Sequence, residues 1–200
     1  MNSHHFGALL LAGHLACETG TVACPPDTFA DDGRAAALLA AARVAEKRLA
    51  HEDVTICFGA AARGAVRHDG IVVLPNSPDR EAMAARLAHL GLHVADGLYR
   101  FPVAGVPCER QIEAALAAEA RAIVAEIEAC DHLGCTAAPY TFAGAVLAAP
   151  PGERTERVLA RLRAEPEADG LNVLVRGYRM RCTPEGAPGG DSGATVGAGP

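Results

Sequence analysis

The 200-residue chain (20.6 kDa) is half hydrophobic and 21% charged, a balance that can bury a core and excludes wholesale disorder. Its net charge of −6 argues against a nucleic-acid partner, because such binding needs cations to replace phosphate counterions. Aromatic residues make up 4% and tryptophan is absent, which leaves alanine, leucine and valine to fill the interior.

Near the N-terminus, Phe6-Gly7-Ala8-Leu9-Leu10-Leu11-Ala12-Gly13 is too short to span a bilayer but long enough for the apolar part of an export signal. The following Leu15-Ala16-Cys17 resembles a bacterial lipobox, which implies lipidation of Cys17 and a membrane association through that lipid alone. Residues 1–17 are therefore read as a signal segment and residues 18–32 as a linker. Setting Cys17 aside leaves six of the seven cysteines: Cys24, Cys57, Cys108, Cys130, Cys135 and Cys182. Six cysteines suit three disulfides in an oxidising compartment, and the sequence does not choose among the pairings. The alternative is a cytoplasmic protein whose cysteines pack as small apolar side chains.

Asp32 is expected to cap a helix over about Gly33–Ala50, and the alternating, β-branched Asp53–Gly59 reads as a strand. Ala65–His68 and Ile71–Leu74 flank Asp69-Gly70, a turn dipeptide suited to a tight hairpin. A helix over about Pro78–Asp96 stops at Gly97, and a proline-bearing loop leads to a long helix over about Cys108–His132 that stops at Gly134. A short helix over Pro139–Ala148, a charged helix over Glu153–Arg163 and a strand over Leu171–Val175 are expected next. In residues 183–200, half are glycine or proline, which predicts a disordered tail.

His89 and His93 are the candidate chemistry. Four residues apart on a helix, they point within about 40° of each other, so one cation can meet both rings. Met83, Leu87, Leu90 and Val94 share a neighbouring face assigned to the core, and Gly91 marks either a close backbone approach or a kink. Asp96 lies near the histidine line as an alternative ligand, as an acceptor for an imidazole N–H, or simply as a charge near the helix end. Arg86 also lies there, and its charge opposes a cation unless it turns away or is paired. His132 between Cys130 and Cys135 looks superficially like a zinc knuckle, but the spacing favours disulfides, local or long-range. Tyr140 is expected as a half-buried core tyrosine, with a hydrogen bond donated into a cleft as the alternative, and Arg154, Arg157 and Arg161 as a solvated helix face, with a site for an acidic partner as the alternative.

The order of helix, strand, hairpin, His-x-x-x-His helix and glutamate-rich helix resembles the minimal zincin metallopeptidase domain, over about residues 33–134. The resemblance implies an α+β fold, a small sheet with a β-hairpin packed on two long helices; residues 135–182 lie beyond it and are read as a C-terminal helical and strand extension. It also implies zinc as the cofactor, held by His89, His93 and a glutamate of the next helix. Glu119 is the best match to that third ligand, and Glu126 is the alternative. The family's catalytic glutamate follows the first histidine, and Leu90 stands there in this chain. Leucine cannot polarise a metal-bound water or take its proton.

The expectation is an exported, lipid-anchored bacterial protein with a catalytically degenerate, metal-binding zincin-like domain that recognises a peptide or protein ligand. One alternative is an active zinc-dependent hydrolase that uses another base, such as Glu119, with different ligands. Another is a disulfide-stabilised envelope domain without metal.

Overall fold

Two aspartates start the first two helices. The Arg34 amide donates to the Asp31 carboxylate and the Ala82 amide to that of Asp79, so α1 spans Asp32–Ala45 and α2 spans Arg80–Ala95. The computed structural model describes residues 23–60 and 64–182. The signal segment with Cys17 and the expected tail over 183–200 lie outside the described residues. Asp31 takes the capping role expected of Asp32, and α1 gives way at Glu46 to a 3₁₀ turn over Lys47–His51.

The architecture is α+β. Four short strands, β1 (Thr28–Phe29), β2 (Ile56–Gly59), β3 (Ala65–Val66) and β4 (Val72–Pro75), form one mixed sheet in the order β1-β2-β4-β3. β2 and β4 run parallel with Ile56 opposite Val72 and Phe58 opposite Leu74, while β3 and β4 form the expected antiparallel hairpin. The Arg67 amide donates to the Ile71 carbonyl and the Gly70 amide to that of Arg67, closing the turn at Asp69-Gly70. β1, inside the segment read as a linker, pairs antiparallel with β2.

Three further disposition rules follow from the apolar pattern. Phe58, Val72 and Leu74 point to the helical side of the sheet and share a core with Leu38, Leu87 and Leu92. Cys57, Ile71 and Val73 alternate to the other face, where the Cys24–Cys57 disulfide lies over them. The long helix α3 (Cys108–Leu133) separates the first core from a second, because its Ala122, Ala125 and Ala129 join the sheet side while Leu116, Ile123 and Ile127 pack among α4 (Ala143–Leu147), α5 (Arg154–Ala164) and α6 (Leu171–Cys182).

The strand expected over Leu171–Val175 is instead the start of α6. Leu171, Val175 and Tyr178 recur at helical spacing, all are buried, and they pack against the second core. The three disulfides are Cys24–Cys57, Cys108–Cys182 and Cys130–Cys135, the last being the local bridge across the superficial zinc-knuckle spacing. They fit an oxidising extracellular environment. Among the described residues no helix is long and apolar enough to cross a membrane.

Candidate metal centre

The site forms where α2 crosses α3. Ala84, Ala85 and Ala88 on α2 share the first core with Ala122, Ala125 and Ala129 on α3, and such small side chains let two helices approach closely. Gly91 serves a close approach on another side of α2: a Cβ there would sit 2.8 Å from Leu49 Cδ2, and the helix runs unbroken through it. His89 and His93, one turn apart on α2, thereby face Glu119 and Glu126, two turns apart on α3. All four side chains are buried.

His89 Nε2 lies 3.5 Å and His93 Nε2 3.4 Å from Glu119 Oε2, and the two imidazole rings meet edge to face at 4.5 Å. One ligand atom from each of His89, His93 and Glu119 falls within 4.8 Å of the others, so the group can hold a metal ion. Three buried atoms here have no hydrogen-bond partner among the described residues: Glu119 Oε2, His89 Nδ1 and His93 Nδ1. An orphaned carboxylate oxygen facing two imidazole nitrogens is costly unless a proton or a cation occupies the gap. Two imidazoles and a carboxylate are a donor set suited to zinc.

Around these ligands lies a second ring of contacts. Glu126 Oε2 approaches His89 Nδ1 to 2.9 Å, an ion-pair contact whose angles miss a hydrogen bond, and it accepts hydrogen bonds from Arg86 (2.9 Å) and Tyr140 (2.8 Å). Tyr178 donates to the other oxygen of Glu119, Oε1, at 2.5 Å. Burial by itself would raise the Glu126 carboxyl, but Arg86 and His89 outweigh it and bring it to about 2. Burial likewise works against ionisation of Glu119, and the two histidines overcome it, holding the carboxyl well below its usual range. His93 is pushed down, chiefly by burial, which favours the neutral imidazole that a metal requires. Burial, reinforced by the neighbouring glutamates, raises the Tyr140 and Tyr178 hydroxyls well above their usual value, so both remain donors.

The structure thus brings His89, His93 and Glu119 together and sets Glu126 behind His89. Asp96 is not part of the cluster. It caps the C-terminal end of α2, and its two carboxylate oxygens face Arg48 (2.6 Å) and Arg121 (2.9 Å) instead of an imidazole. Both arginines hold the Asp96 carboxyl below its usual range against the opposing effect of burial. Asp96→Asn is expected to lower the denaturant midpoint at neutral pH, with the difference from wild type shrinking as acid protonates the native carboxylate. A difference that stays constant down to pH 2 would show the ion pairs to be irrelevant.

Arg86 is paired with Glu126, so its charge does not oppose a cation at the histidines. Leu90 lies in the sheet-side core, close to Leu74 and Gly64. Tyr140 is half-buried as expected but also serves the cluster through Glu126. Arg154, expected on a solvated face, bonds Glu128 and the carbonyls of Leu147 and Ala149, and Arg161 pairs with Asp169. Tyr178 was not legible as a site residue, because a tyrosine just past an expected strand and some 60 residues beyond Glu119 gives no local signal. Compared with protein-family models, curated proteins and solved structures, the chain matches none of them.

Proposed function

We propose that this chain is an exported metal-binding protein in which His89, His93 and Glu119 hold one zinc ion, and that it binds a peptide or protein ligand without hydrolysing it. The observation that carries the metal reading is the convergence of the two Nε2 atoms on a buried, unpartnered Glu119 Oε2. The likeness to a degenerate zincin domain rests on the order of elements and on Leu90, which occupies the position of that family's catalytic base. With leucine buried there, neither Glu119, already facing both imidazoles, nor Glu126, paired with Arg86, is placed as a free base. Export is supported by the three disulfides, and a lipid anchor on Cys17 by the lipobox-like segment.

Elemental analysis of the oxidised, full-length protein beside the His89→Ala/His93→Ala variant tests the reading. Near-stoichiometric zinc in the wild type and a loss of at least about 100-fold in affinity in the variant are expected, since removing two of three ligands leaves no site. Zinc-free wild type that also fails to take up added zinc would make the cluster a buried histidine–glutamate ion pair. Chelator-sensitive cleavage of a protein substrate would instead establish a hydrolase.

A further inference from the structure

Both glutamates of the cluster are completed from outside the two helices that carry it. Tyr178, on α6, donates to Glu119 Oε1, and Tyr140, in the loop before α4, donates to Glu126 Oε2. Each tyrosine thus bonds one carboxylate, and both come from residues 135–182, beyond the stretch that resembles a zincin domain. Resting on the metal reading above, we infer that this C-terminal segment is a working part of the metal centre, with Tyr178 a positioning residue that sets the affinity of Glu119 for the ion.

The argument is geometric. A free glutamate can present either oxygen, or both, and its side chain loses rotational freedom when it ligates a metal. A tyrosine hydroxyl on Oε1 leaves Oε2 as the oxygen facing His89 and His93, and a hydrogen bond to an ionised acceptor is among the stronger kinds. Glu119 is thereby held before any ion arrives. Tyr178 is itself fixed: it is 4% exposed, and its ring packs edge to face on Phe101 at 5.0 Å. One turn beyond it, Cys182 is bonded to Cys108, the first residue of α3, so the helix carrying the tyrosine is tied to the helix carrying the ligand.

Removing hydrogen-bonding partners behind metal ligands typically weakens a site by about 10–100-fold. Tyr178→Phe keeps the ring and deletes the hydroxyl. Zinc titration against a competing chelator is expected to show a dissociation constant raised about 10–100-fold, with the visible spectrum of the cobalt-substituted protein altered. A fall in thermal stability alone would not change that spectrum. In the wild type, added zinc is expected to slow amide exchange across residues 171–182 although they contribute no ligand, a measurement that needs no variant. Wild type that binds zinc with α6 exchange unchanged, or with Tyr178→Phe binding equally well, would overturn this inference and leave the metal site standing. Wild type that binds no zinc would overturn both.

Discussion

Arg86→Met is expected to destabilise the protein by about 3–5 kcal/mol, the usual consequence of leaving a buried charge without its partner. Glu126 is buried, and without Arg86 (2.9 Å) its carboxylate keeps only the Tyr140 hydroxyl and the His89 contact to offset its charge. The double variant Arg86→Met/Glu126→Leu should recover much of the loss, because replacing both charges removes the desolvation cost as well as the attraction. The pH dependence has a definite sign. The Glu126 carboxyl is lowered in the folded state from an ordinary value of 4.5 to about 2. Its contribution, about 3 kcal/mol by linkage, is fully present above pH 4.5 and is lost as pH falls toward 2. Glu126→Gln should therefore flatten the acid limb of the stability curve in that window. Urea midpoints from pH 2 to 7 measure all of this. A single Arg86→Met variant within about 1 kcal/mol of wild type would mean that Glu126 is hydrated or protonated and that the network holds nothing together.

The elements with strong local chemistry were readable before the fold. Asp69-Gly70 closes its hairpin, and Gly97 and Gly134 end α2 and α3 in the left-handed conformation. The one element of the wrong type lies where tertiary packing decided. The run Leu171–Val175 satisfies a strand or a buried helix equally well, and only the neighbouring α3 and α5 select the helix. β1 has two residues and no pattern of its own, so its pairing with β2 is a long-range event.

The site was half legible for the same reason. Spacing along one helix places His89 with His93 and Glu119 with Glu126, but it cannot say which α3 glutamate meets which imidazole. That is set by how far the alanine-faced helices slide past each other. Asp96 sat correctly by helical angle, yet two arginines distant in sequence, Arg48 and Arg121, took its carboxylate first. Tyr178 reaches Glu119 only because α6 folds back along α3, a placement that no periodicity encodes.

Loss of either long disulfide, Cys108–Cys182 or Cys24–Cys57, is expected to be far more damaging than loss of the local Cys130–Cys135. The bridges join cysteines 74, 33 and 5 residues apart in sequence, for Cys108–Cys182, Cys24–Cys57 and Cys130–Cys135 respectively. Loop-closure entropy assigns them about 4, 4 and 2 kcal/mol, with the first slightly ahead of the second. Cys24–Cys57 gains a further share because it lies over Ile71 and Val73 on the sheet face opposite the first core, so the two long bridges should fall close together and well above the local one. Paired serine substitutions, compared by denaturant unfolding in the presence of chelator, measure the order with metal binding removed. Together the three amount to about 10 kcal/mol, which is comparable with the whole stability of an ordinary domain. The fully reduced chain should consequently be unfolded or protease-sensitive at physiological temperature, as expected of a protein matured in an oxidising compartment. A reduced chain that keeps its cooperative unfolding transition within a few degrees of the oxidised form would remove the strongest physical argument for export.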